Sequence, residues 1–256
     1  MKRLITILTA LTVWSASLPA STPDADALLA KARAYLGGDA ALDAINSIHY
    51  FGSIEMTETP AGATNPGKSS IEIIFQKPCQ HRLVVSSEKS VDITGLDNYF
   101  GWRRVEPVAT GGARVQNVGL GKEQIKRLRA NTWENLYFWR GIEQHGGAIM
   151  DKGETELDGV KCRKLVMSYG PGIEFVRYFE IATGRLLLTE TLPVGVIREE
   201  GEIMVAGVRF PRKLIATAAA GADGKTRVIT ITFDRIALNE TFPASTFEQP
   251  LISGAR

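Results

Sequence analysis

Cysteine is nearly absent from this sequence: 256 residues carry two, Cys79 and Cys162. Two thiols make no disulfide framework, and nothing in the sequence places them close together. A bridge between them stays open, and the plain reading is two half-buried thiols on strands. Histidine is almost as scarce, with His49, His81 and His145. No two of them have a metal-binding spacing such as His-Glu-x-x-His. Cys79 and His81 would face the same way on a strand and could meet Cys162, but zinc sites usually show tighter pairs. No metal and no cofactor is expected. There is no Gly-x-Ser-x-Gly elbow and no Gly-rich phosphate loop before a helix. An excess of one charge is also lacking. The formal net charge is +2, and without Lys2 and Arg3 it is zero. That leaves no basic stripe for nucleic acid and no general attraction to anionic membranes.

What chemistry could remain is thin. Glu199, Glu200 and Glu202 are clustered, and paired carboxylates can do acid–base work. Their position between predicted strands reads as a turn carrying a solvated charge run. A hydrolase built on this cluster, or on Cys79 and His81, would lack a constellation joining nucleophile and base. The protein is expected not to be an enzyme.

The composition, 44% hydrophobic and 23% charged, is that of a globular chain. "MKRLITILTALTVWSASLPA" has two basic residues, an apolar run from Leu4 to Trp14, and small residues after it. Residues 1–20 are predicted to be a cleaved signal peptide, since the run is too short to span a bilayer. No cysteine near the cut would carry a lipid anchor. Export to the periplasm follows as an expectation. Residues 21–256 read as a single domain, with no linker or break in composition.

Along that domain, "STPDADALLAKARAYLGG" predicts a helix capped by Asp24 and stopped by Gly37 and Gly38. Leu28, Leu29, Ala32, Tyr35 and Leu36 form its apolar face. "DAALDAINSI" predicts a short second helix. From His49 the period changes to two, with turn signals at regular intervals, as in an antiparallel sheet. Hairpin tips are expected at Asp158-Gly159, Ala182-Thr183-Gly184, Ala206-Gly207 and Asp223-Gly224. "VAGVRFPRKLIA" puts Pro211 among strand residues, at a strand start or bulge where a missing N–H costs little. "LGKEQIKRLRANTWENLYFWRG" interrupts the strands with an amphipathic helix, or with two broken near Asn131.

A large sheet with one apolar face needs a cover, and small helices cover it loosely. A greasy pocket between sheet and helical lid is therefore predicted. Period and the lid argument nominate its lining: Trp102, Ile125, Leu128, Trp133, Leu136, Trp139, Ile229, Ile231 and Phe233.

Several stretches, in order, resemble the LolA-like superfamily of exported lipoprotein carriers, especially its outer membrane lipoprotein-sorting branch. "LLAKARAYLGGDAALDAINSIHYFGSIEM" is similar to that family's opening helix, Gly-Gly stop and first strand. "QKPCQHRLVV", "YFEIATGRLLL" and "VAGVRFPRKL" resemble its Lys-Pro, Thr-Gly and Gly-Val-x-x-Pro strands. "ITITFDRIALNETFPASTFEQP" is similar to its closing strand and Phe-containing tail. The resemblance implies a mainly β fold, a curled antiparallel half-barrel of about ten strands under a helical lid. It implies a cavity for lipid or lipoprotein acyl chains, no catalysis, and a strand arginine, Arg82 or Arg103, holding the lid. A monomer is expected. The alternative is an envelope sensor or scaffold that binds a partner protein through the same sheet.

Overall fold

The computed structural model describes residues 21–59, 68–108, 114–191, 195–218 and 226–251. The expected leader and the Asp223-Gly224 turn lie outside the described residues.

Helix α1 (Pro23–Leu36) starts one residue before Asp24, and its cap lies two residues earlier than expected. Thr22 is its cap: its hydroxyl accepts from the Ala25 N–H at 3.2 Å. Pro23 fits the first helical position because it has no N–H to satisfy. Asp24 and Asp26 then sit in the first turn, where the helix dipole favours negative charge. A short α2 (Asp39–Asp43) follows.

Six strands come next: β1 (Ser47–Thr59), β2 (Ser69–Gln76), β3 (Gln80–Ser86), β4 (Ser90–Asp97), β5 (Phe100–Pro107) and β6 (Gln116–Gly119). Helix α3 (Lys122–Tyr137) runs unbroken past Asn131. Seven more strands complete the chain: β7 (Ala148–Leu157), β8 (Val160–Ser168), β9 (Glu174–Glu180), β10 (Leu186–Thr191), β11 (Gly195–Val205), β12 (Val208–Thr217) and β13 (Thr226–Leu238). The strands number thirteen among the described residues, against an expectation of about ten.

All thirteen strands form one sheet, in the order β6-β5-β4-β3-β2-β1-β13-β12-β11-β10-β9-β8-β7. Two meanders are thus zipped together where β1 pairs antiparallel with β13. The sheet is not closed, and α3 carries the chain from one edge strand, β6, to the other, β7. On one half α3 packs against β2, β4 and β5. On the other it reaches β9, through Glu134 and Arg177. The sheet therefore curls around its helix. No helix among the described residues is long and apolar enough to cross a membrane.

The tips at Asp158-Gly159 and Ala206-Gly207 each place two residues at positive φ, as tight two-residue hairpins require. The second tip explains Pro211, which lies within β12 rather than at its start. Val205 and Val208 form the pair nearest the tip, and hydrogen-bonded and non-hydrogen-bonded pairs alternate from there. Pro211, opposite Glu202, falls in a non-hydrogen-bonded pair, so its nitrogen points away from β11. On that side β13 pairs with β12 only from Lys213 to Thr217. No ladder bond is lost.

The inner face carries two cores. Ala25, Leu28, Leu29 and Ala32 of α1 pack on Leu165, Met167, Phe175 and Phe179 of β8 and β9. Leu42, Ile45, Leu136 and Phe138 pack on Tyr50, Phe75, Phe210 and Phe233. The outer face is covered near β2–β5 by the chain's own tail. Register places Trp102 opposite Gly95, Gly95 opposite Arg82, Arg82 opposite Ile74, and Ile74 opposite His49. Tyr50 and Phe75 alternate with His49 and Ile74 and so take the other face. Gly95 leaves room for the indole: a Cβ there would sit 2.2 Å from it. The indole N–H donates to the Phe247 carbonyl at 2.8 Å.

Candidate functional site

Between the two cores lies a cavity of about 760 Å³. Its apolar wall is built by Tyr50 of β1, Ile73 and Phe75 of β2, Phe210 and Leu214 of β12, Phe233 of β13, and Phe138 and Trp139 just past α3. Strand alternation delivers the strand residues to one face. Phe138 and Trp139 arrive differently. Both have positive φ, 48° and 66°, a conformation that bulky residues rarely adopt. Arg33 of α1 holds them there, donating to the carbonyls of Tyr137 at 2.9 Å and Phe138 at 3.0 Å. The same guanidinium binds Asp39 and Asp43. Its hydrogen bond holds the Asp39 carboxyl below the usual carboxylate range.

Charged groups also enter the cavity wall. Glu134 of α3 receives Arg177 of β9 at 2.7 Å, with both side chains nearly inaccessible to solvent. The Tyr169 hydroxyl donates to the other Glu134 oxygen at 2.6 Å. Burial and this carboxylate push the Tyr169 phenol up. The Arg177 guanidinium lies 5.6 Å from the ring centres of both Trp139 and Phe175. At the rim, Glu202 accepts from the Tyr35 hydroxyl at 2.7 Å and is ion-paired to Arg209, so α1 is tied to β11 and β12. The Tyr35 bond first, then Arg209, holds Glu202 below its ordinary value. Arg198 meets Asp158 at 2.8 Å.

Glu199 is the exception. Its side chain is exposed and lines the cavity. Enclosure by protein pushes its pKa up to about 7, with Arg177 opposing the rise. The Glu199–Glu202 run is exposed, as expected of a charge run, but it is not a turn. It lies within β11, and the hairpin tip comes later, at Ala206-Gly207.

Of the residues nominated from sequence, Trp139 and Phe233 line the cavity. Leu136 is fully buried in the core beneath α3, and Ile231 packs against that core. Ile125 and Leu128 are half-buried on α3, and Ile229 is half-buried between Met56 and Ala216. Trp133 stacks on His145 at 4.4 Å, with the Arg129 guanidinium 4.6 Å from its ring. Trp102 belongs to the opposite face of the sheet. Arg82 lies 3.9 Å from Glu72, and Arg103 is bound to Asp92, so both make strand-to-strand pairs. The strand arginine that meets the crossing helix is Arg177.

Sequence reasoning missed Glu134 and Arg177, and set Glu199 aside as part of a solvated charge run. Both left a signal: Arg177 shares a strand face with the buried Phe175 and Phe179, and Glu134 stands four residues after the buried Ala130. A charge on an otherwise apolar face needs a partner, and each supplies the other's.

Cys79 and Cys162 are both free and buried. Burial pushes the Cys79 thiol up to about 11 and His81 down to about 4, leaving both uncharged at neutral pH. Among the described residues no three His, Cys, Asp or Glu side chains are grouped to hold a metal ion.

No protein-family model matches the sequence, and no curated protein matches it. Solved structures do. A LolA superfamily protein from Nitrosomonas europaea is similar at 9% identity and a TM-score of 0.54, over 87% of this chain and 96% of that one. A DUF1329 family protein from Desulfovibrio piger is similar at 12% identity and a TM-score of 0.53, over 89% of this chain and 98% of that one. At such identities the likeness is one of fold. An unclosed, curled antiparallel sheet around one crossing helix, aligned end to end with these chains, is a LolA-like fold.

Proposed function

We propose that this protein is a carrier of the cell envelope that holds the apolar part of a lipid or lipoprotein in the cavity, without catalysis. One observation carries the reading: beside the two inner cores a cavity of about 760 Å³ remains, one wall of which is aromatic and aliphatic. That size falls within the range of ligand pockets, roughly 300–1,000 Å³. A dozen buried methylenes would contribute about 10 kcal/mol before ordering costs. The LolA-like fold and the signal-like leader support the placement in the periplasm, and we take the working form to be a monomer. Native mass spectra of gently purified protein are expected to show co-purified lipid. Spectra of bare protein, together with no uptake of a fluorescent fatty-acid probe, would overturn the proposal.

A second reading, a scaffold that binds a partner protein, is favoured by a different surface. Tyr99, Phe100, Val115 and Val118 are exposed around β5 and the edge strand β6. Exposed apolar side chains beside a free edge suit a protein partner. A pull-down from envelope extract returning one stoichiometric protein on lipid-free bait would favour this reading over the first.

A further inference from the structure

The charges around the cavity nearly all have partners within the protein. Glu134 holds Arg177. Glu202 holds Arg209 and the Tyr35 hydroxyl. Asp158 holds Arg198. Arg185 lies 3.8 Å from Glu180. Glu200 stands opposite Lys213 in the strand pairing. Glu199 stands opposite Leu214 instead, and makes no hydrogen bond or ion pair among the described residues. Its polar neighbours are Arg177, which opposes the rise in its pKa, and the Tyr50 phenol, which burial and, less strongly, the Glu199 charge push upward.

We propose that the cavity takes a cationic amphiphile, with the ammonium group of the ligand seated on Glu199 and its hydrocarbon against Tyr50, Phe210 and Leu214. This rests on the carrier reading and narrows it to one class of head group. A carboxylate on this wall without an ion pair is partly desolvated by the protein around it, which makes it costly to ionise. A ligand that brings the missing positive charge removes that cost and adds a charge-assisted hydrogen bond. An anionic head would meet Glu199 as a like charge, and Arg177 is already committed to Glu134. Uptake of an alkylammonium ion favours the ionised carboxyl, so affinity rises with pH through the range where Glu199 loses its proton, around 7.

The test uses three ligands with one tail, decylamine, decanol and decanoate, each below its micelle concentration and displacing N-phenyl-1-naphthylamine from the whole protein. At pH 8, decylamine is expected to bind at least about tenfold tighter than decanol, with decanoate weakest. In Glu199→Gln the amine advantage should shrink to less than about twofold while decanol affinity holds. Lowering the pH to 6 should weaken decylamine several-fold in the wild type and leave decanol unmoved. This second measurement stands even if the variant folds poorly. Equal affinity for amine and alcohol, or an amine preference that survives Glu199→Gln, overturns the inference and leaves the carrier reading intact. Failure of all three ligands to bind overturns both.

Discussion

The two faces of the sheet handle their apolar grooves in opposite ways. On the outer face the chain fills its own groove: Trp102 lies over Gly95, and Phe247 from the tail completes the contact with a hydrogen bond. On the inner face the helices cover the sheet but stop short of filling it, and ionisable groups line what is left. Burial is comparable on the two faces, since Trp102 and Phe233 are both nearly inaccessible. Burial alone thus does not mark a binding site. What separates the faces is whether the chain's own side chains fill the groove.

Substitutions can test that contrast. The largest effect is expected from Trp102→Ala, which empties a filled groove and should cost ~3–5 kcal/mol in urea unfolding. Its probe affinity, measured on folded protein, should stay unchanged because the cavity is on the other face. Arg177→Ala leaves the Glu134 carboxylate buried without its cation and should cost about 3 kcal/mol by the same measurement. Unlike Trp102→Ala, it should also change probe binding, because it frees the crossing helix from β9.

Glu199 gives a pH-dependent difference. Its folded pKa, about 7, is raised above the ordinary 4.5, so the folded chain holds that proton more firmly than the unfolded one. The stability it supplies is complete below about pH 4.5 and is lost as pH rises through about 7. Glu199→Gln escapes the loss. At pH 8 it should be more stable than the wild type by about 1–2 kcal/mol, after discounting for solvent within the cavity. At pH 4 the two should melt together. Leu214→Trp grows into open space rather than packed core. It should move stability by less than about 1 kcal/mol yet lower probe affinity by tenfold or more. A comparable size increase on the outer face would be resisted by packed neighbours.

The sequence displayed the hairpins well, because Asp158-Gly159 and Ala206-Gly207 are local turn chemistry. The alternation of Ile229, Ile231 and Phe233 showed an apolar face for the same reason. Which face a given residue occupies was harder to read. Register slips between Phe51 and Gly52, Asp151 and Glu154, and Leu186 and Leu188 interrupt the pairing. A shift of one residue reverses the side a residue faces. Trp102 looked like a lid contact because it is large and apolar, and only its pairing with Gly95 assigns its face. The Glu199–Glu202 run reads as a turn because charge density says nothing about strand pairing; it lies exposed within β11 along the cavity. Glu134 and Arg177 are 43 residues apart, and no local pattern joins them. Asp24 has the composition of a cap, but Pro23 marks the first helical turn and leaves that place to Thr22.

Where β12 and β13 separate, the free side of β12 presents Pro211 beside Phe210 at the cavity wall. An extended polypeptide trying to add itself there as a further strand would meet a rung without an amide proton. A hydrocarbon tail needs no rung. One imino acid thus makes this lip a poor rail for peptides and no obstacle to a greasy guest.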